Sequence, residues 1–193
     1  MTRIIAGAAR GRRLSVPPGT RTRPTSDRAR EGLFAAITAR HGPLDGTAFL
    51  DLYAGSGAVG LEALSRGAAP VLFVESDPAA FRVIRANMTA VGLPGAELVT
   101  GRVATVLRRG PGRGAGRGPA FGVVVADPPY ATGEGEVTAM LAALRGGWLA
   151  SGAFVAVERA TRSGPVAWPE GYAPDGSRHY GEATFWYGLA AGI

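Results

Sequence analysis

From residue 47 onward, short apolar runs alternate with stretches whose apolar positions recur at helical spacing. The runs at 48–52, 71–75, 97–100, 123–126 and 153–158 are rich in Val, Leu, Phe and Ala, as strands buried in a parallel sheet are. Between them, 59–67, 78–91, 103–109 and 136–144 read as helices, with Gly67, Gly92 and Gly146-Gly147 where C-terminal caps belong. A last run at 183–189 reads as the final strand of a terminal hairpin. This alternation predicts right-handed crossovers and a parallel sheet with helices on both faces.

The chain ahead of residue 47 follows another pattern. Ile4-Ile5 and Leu14-Ser15-Val16, around Gly7 and Gly11, predict a small hairpin, and Pro17-Pro18-Gly19 a turn. Thr25 or Ser26 then caps a helix whose apolar face is Ala29, Leu33, Phe34 and Ile37 and which stops near His41-Gly42-Pro43. Residues 110–119 hold only Gly, Arg, Pro and Ala. They read as a flexible linker at the amino edge of the sheet, with an Arg-Gly nucleic-acid segment as the competing reading.

Composition adds exclusions. A chain of 193 residues forms one ordinary domain with room for an appendage. No apolar stretch approaches the roughly 18 residues of a membrane span, and the N-terminus lacks the apolar core of a signal peptide. A cytoplasmic location is the resulting expectation. With no cysteine, disulfides, Cys-based metal sites and cysteine nucleophiles are excluded, and so is pyrimidine C5 methylation through a Cys adduct. His41 and His179 are the only histidines, too few for a His-rich metal site, so no metal is expected.

All 21 basic residues are Arg, and their distribution is uneven. Arg3, Arg10, Arg12, Arg13, Arg21, Arg23, Arg28 and Arg30 face a single acid, Asp27, within the first 30 residues, whereas the remainder is close to neutral. A basic arm on a near-neutral body is the footprint of a polyanion binder. A solvated basic tail is the plain alternative.

The chemistry concentrates in Asp127-Pro128-Pro129-Tyr130, directly after the run at 123–126. Two prolines end the ladder and leave stiff, outward-facing carbonyls. A carboxylate, a rigid carbonyl and an aromatic ring are thereby presented at the carboxyl end of a strand, where open α/β sheets bind ligands. Asp127 and a Pro128 carbonyl can each accept a hydrogen from the exocyclic amino group of a base while Tyr130 stacks on the ring. A strand exit punctuated by proline is the simple structural reading.

After the first strand, Gly55, Gly57 and Gly60 match the dinucleotide fingerprint, with Glu75 placed at the end of the second strand to grip ribose hydroxyls. A nicotinamide-dependent oxidoreductase fits this much. Asp51, charged and inside the strand, tips the balance. Its burial is costly unless paired. It would repel a pyrophosphate, but it suits the cationic S-adenosylmethionine.

Taken together, residues 51–60, Glu75 and Asp127 to Tyr130 resemble a class I, S-adenosylmethionine-dependent methyltransferase acting on amino groups. Three N-terminal segments narrow the resemblance to the RsmD family, which methylates a guanine N2 in 16S ribosomal RNA. They are Arg3-Ile-Ile-Ala-Gly7, Arg10-Gly-Arg12 and Arg23-Pro-Thr-Ser-Asp-Arg28. The stretches 49–57 and 61–67 extend the likeness over nearly the whole chain.

The resemblance implies a Rossmann-like, seven-stranded, mostly parallel sheet with an antiparallel last strand. A basic N-terminal part, residues 1–42, would precede a catalytic domain at 43–193. It implies S-adenosyl-L-methionine held by Asp51, Tyr53, Gly55, Ser56, Gly57, Glu75, Ser76, Arg102, Val103 and Asp127. Catalysis would fall to Asp127, Pro128, Pro129 and Tyr130, and RNA contact to Arg3, Arg10, Arg12, Arg13, Arg21, Arg23 and Arg28. The expected partner of a monomer is 16S rRNA within the small subunit or an assembly intermediate. Gly101-Arg102-Val103 lacks the acidic or amide side chain that many such enzymes use for the adenine amino group, which leaves backbone at Arg102 or Val103 for that contact. Adenine N6 methylation of DNA or RNA uses the same tetrapeptide and stays open, as does a non-catalytic RNA-binding role.

Overall fold

Asp51, Leu52 and Asp127 become neighbours because two strands distant in sequence lie side by side. The structure is a computed structural model that describes residues 2–17, 26–112 and 120–192. Strand β1 (Thr2–Arg3) pairs antiparallel with β2 (Arg13–Leu14), forming the expected hairpin. Helix α1 (Asp27–Arg40) follows, capped by Ser26, whose side chain accepts from the Ala29 N–H. Then come β3 (Phe49–Leu52), α2 (Ala58–Ser65), β4 (Val71–Glu75), α3 (Pro78–Val91), β5 (Ala96–Thr100) and α4 (Val103–Arg108). The chain closes with β6 (Phe121–Ala126), α5 (Glu134–Leu144), β7 (Leu149–Ala160), β8 (Tyr172–Tyr180) and β9 (Ala183–Ala190).

Seven strands form one sheet in the order β5-β4-β3-β6-β7-β9-β8. β5 through β7 are mutually parallel, and β9 runs antiparallel between β7 and β8. The order reverses between β3 and β6, so the crevice at their carboxyl ends is the topological switch point.

Period-two alternation divides the sheet into two faces. Phe49, Val123, Phe154 and Ala156 face α1, α2 and α3, whereas Leu50, Leu52, Val124 and Val155 face α4 and α5. The N-terminal extension belongs to the first of these cores: Ile4, Ala9 and Leu14 are buried with Phe34, Phe49 and Phe73. Gly7 sits where a Cβ would come within 1.8 Å of the Ser65 carbonyl oxygen, at a φ of +83° that side chains rarely adopt.

Several boundaries differ from the sequence pattern. β7 begins at Leu149, four residues early, and α5 begins at Glu134. The expected hairpin partner of β9 is β8, largely polar and exposed, which follows from its place at the sheet edge. Ile84, Asn87 and Val91 are buried on α3, and Gly92 ends it in the left-handed region. Of the linker at 110–119, residues 113–119 lie outside the described residues, as do Arg21, Arg23 and Thr25. No helix is long and apolar enough to cross a membrane among the described residues.

Candidate active site

Residues 53–57 leave β3 and turn into α2. Tyr53 adopts a positive φ of 61°, the one non-glycine residue to do so among the described residues. Three side chains from three elements hold this turn. Glu75, at the end of β4, accepts from the Gly55 N–H at 2.8 Å and from the Ser76 and Asp77 N–H groups at 2.7 Å each. Asp51, in β3, accepts from the Gly60 N–H at 2.9 Å. Asn87, on α3, donates to the Ser56 carbonyl at 2.8 Å. Gly60 is required by close approach: a Cβ there would lie 2.3 Å from the Phe73 ring and 3.0 Å from the Asp51 carboxylate.

Asp51 is 3% exposed and makes no ion pair with another described residue. Burial pushes its carboxyl up to about 8, against the single hydrogen bond from Gly60. Such a group gains most from an external cation. A sulfonium and ammonium ligand would supply that charge.

The tetrapeptide leaves β6 beside this turn. Leu52 pairs with Ala126, and the Asp127 N–H donates to the Leu52 carbonyl at 3.3 Å. Pro128 is buried, and Pro129 and Tyr130 are exposed. The Pro129 carbonyl accepts from the Thr132 N–H at 2.8 Å. Arg159 on β7 donates to the Thr132 carbonyl at 2.8 Å and so fixes the loop beyond. Tyr130 is 42% exposed, the one large exposed apolar side chain among the described residues.

Asp51 pairs with Val125, and Asp127 lies two residues further on the same face of the sheet. Ala126 pairs with Val157 of β7, which places buried Glu158 beside Asp127. Burial first, then Glu158 and Asp51, push the Asp127 carboxyl well above the usual carboxylate range. Burial, Glu158 and Asp127 push the Tyr130 phenol up as well. Sequence reasoning missed Glu158, although it is a charge inside an apolar strand as Asp51 is. It also missed Asn87, Arg159 and Glu136, whose charge acts on the half-buried Tyr53.

The other expected cofactor residues gather around the same crevice. Tyr53, Gly55, Ser56 and Gly57 lie after β3, exposed Ser76 after β4, and exposed Arg102 with buried Val103 after β5. The described arginines expected to contact RNA are on other elements. Arg3, Arg10, Arg12 and Arg13 are exposed on the N-terminal hairpin, and Arg28 is exposed on the first turn of α1. Arg12 donates to the Ala90 carbonyl at 2.9 Å. Arg30 is fully buried, donating to Thr2, the Arg3 carbonyl and Asp27, and adds nothing to the outward charge of the extension.

Comparison with known proteins identifies the family. The family model described as Conserved hypothetical protein 95 matches residues 2–188. Ribosomal RNA small subunit methyltransferase D of Escherichia coli strain K12 is 36% identical over 170 residues, covering 86% of this chain and 80% of the relative. Its Haemophilus influenzae namesake is 33% identical over 172 residues, covering 88% and 84%. The solved structure of yhhF from Escherichia coli superposes with a TM-score of 0.82 at 31% identity, covering 100% of this chain and 99% of that one. The chain belongs to the Conserved hypothetical protein 95 family, the methyltransferase family of these small-subunit ribosomal RNA enzymes.

Proposed function

We propose that this protein transfers a methyl group from S-adenosyl-L-methionine to the exocyclic N2 amino group of a guanine in 16S ribosomal RNA. The observation that carries the reading is the placement of Asp127 to Tyr130 at the carboxyl end of β6, against the turn that ends β3. The cofactor supplies a methyl group on a cationic sulfur. Asp51, Glu75 and the turn from Tyr53 to Gly57 hold it, with Ser76 and the backbone at Arg102 and Val103 at its nucleoside end.

Asp127 and the Pro128 carbonyl accept the two amino hydrogens and localise a lone pair otherwise delocalised into the base. Pro129 keeps the turn stiff, and Tyr130 stacks on the flipped base, worth about 1–3 kcal/mol. Catalysis is then mostly positioning and preorganised charge. Asp127, or water beside it, takes the amino proton once the nitrogen is methylated. Arg3, Arg10, Arg12, Arg13, Arg21, Arg23 and Arg28 grip phosphates and set register without reading sequence. The names of the relatives support ribosomal RNA as the substrate. On this reading the protein acts as a cytoplasmic monomer on the small subunit or an assembly intermediate.

Transfer of labelled methyl to small subunits, deproteinised small-subunit rRNA and plasmid DNA tests the proposal. Label in either of the first two supports it. Label in DNA alone refutes the ribosomal reading, and no label in any of them refutes the enzymatic one.

A further inference from the structure

Asn87 is a polar residue on the buried face of α3, one turn beyond Ile84 and one before Val91, and is only 2% exposed. A buried amide is tolerated when its donors and acceptor are met. Here all are met, by two separate segments. The Ser15 N–H donates to Oδ1 at 2.9 Å, and Nδ2 donates to the Ser15 carbonyl at 3.0 Å. The second Nδ2 hydrogen goes to the Ser56 carbonyl at 2.8 Å. Two carbonyls on one side and an N–H on the other fix the orientation of the amide, since a flip would oppose like groups.

Ser15 leaves the arginine-bearing hairpin, and Ser56 is the centre of the glycine turn. Both the N–H and the carbonyl of Ser15 are engaged, as in a strand ladder. The hairpin is also held independently: Glu62 accepts from the Ile5 and Ala6 N–H groups at 2.7 and 3.0 Å, and Ser65 Oγ accepts from the Ala9 N–H at 2.9 Å. Loss of the Asn87 amide therefore frees the exit of the hairpin without undocking it.

We propose that Asn87 is a positioning residue that joins the N-terminal extension to the cofactor turn, so that RNA held by the extension and cofactor held by the turn strengthen each other's binding. This rests on the functional reading above. A shift of the Ser15 backbone moves the amide, the amide moves the Ser56 carbonyl, and Gly55 and Gly57 on either side move with it. The linkage is reciprocal by thermodynamic necessity.

The test measures the affinity of S-adenosylhomocysteine by calorimetry, with and without whichever of small subunits or deproteinised small-subunit rRNA accepts methyl in the assay above, for the wild type and two variants. Asn87→Ala removes the bridge. Ser15→Pro removes the Ser15 N–H from the hairpin side, at an exposed residue, and leaves Asn87 on Ser56; it decides the matter should Asn87→Ala fail to fold.

In the wild type, RNA is expected to tighten cofactor binding several-fold. In Asn87→Ala that ratio falls to about one, and the affinity without RNA also drops, about tenfold; in Ser15→Pro, which loses the N–H bond but keeps the carbonyl bond to Nδ2, the ratio falls below the wild-type value. A wild-type ratio of one, or variants that keep the wild-type ratio, overturns the proposal. Wild-type methyl transfer to the same subunits or rRNA, run in parallel, separates failure of the coupling from failure of the substrate assignment.

Discussion

Asp51 offers a direct reading of the cofactor site through pH. Its carboxyl is buried and lifted to about 8, so near neutrality the cofactor-free protein holds a proton there. A cationic ligand beside it stabilises the ionised form, and binding expels that proton. Affinity must therefore rise with pH up to about 8 and level off above it. At about pH 6 roughly one site in a hundred is already ionised, against half at about pH 8, so affinity falls about fiftyfold between them.

The same group shapes stability with the opposite sign. The folded protein binds the proton more tightly than the unfolded chain, so without ligand its stability falls as pH rises from about 4 to about 8. The assay is calorimetric titration with S-adenosylmethionine across that range, in buffers of different ionisation enthalpy, which counts the protons released. Asp51→Asn keeps an acceptor for the Gly60 N–H and removes the titration. It should bind more weakly but with a much flatter pH dependence. A wild-type affinity that does not vary with pH, or an equal slope in Asp51→Asn, refutes the role assigned to Asp51.

Other consequences follow from named contacts. Glu62 is fully buried and takes the Ile5 and Ala6 N–H groups together with Arg66 at 2.8 Å and Arg30 at 3.9 Å. Glu62→Ala leaves the Ile5 and Ala6 N–H groups without an acceptor and buried Arg30 with Asp27 as its one remaining carboxylate, costs about 3–5 kcal/mol and lowers the melting temperature by about 10 °C, read by thermal unfolding. Tyr130→Ala should raise the KM for RNA about 5- to 150-fold while calorimetry finds cofactor affinity unchanged. Replacing Arg10 and Arg13 together by Ala should lower the slope of log affinity against log salt by about two, measured by filter binding across a salt series.

Local chemistry made much of this fold legible. Gly92 closes α3 as its φ freedom demands, and Ser26 caps α1 with its hydroxyl. Asp51 and the tetrapeptide stood out because a charge inside an apolar strand, or two prolines ending one, has few structural explanations. Edge strand β8 was invisible, since exposure on both sides removes the alternation that marks a strand. The start of β7 was hidden by Ser151 and Gly152, which read as a loop, and the first turn of α5 by Gly135.

Long-range partners were beyond reach for a different reason. Nothing near Glu62 says that it receives Ile5 and Ala6, and nothing near Asn87 says that it bridges Ser15 and Ser56. Such pairings exist only once the sheet has brought the segments together. Arg30 shows the same limit: it counts as basic in the sequence, yet it is enclosed in the structure.

Nucleoside analysis by mass spectrometry identifies both the methylated base and the residue that transfer depends on. Small-subunit rRNA is methylated with labelled S-adenosylmethionine by the wild type and by Asp127→Ala, then digested to nucleosides. Label is expected in N2-methylguanosine from the wild type and none from Asp127→Ala. Label in N6-methyladenosine, or undiminished transfer by Asp127→Ala, would contradict the proposed function.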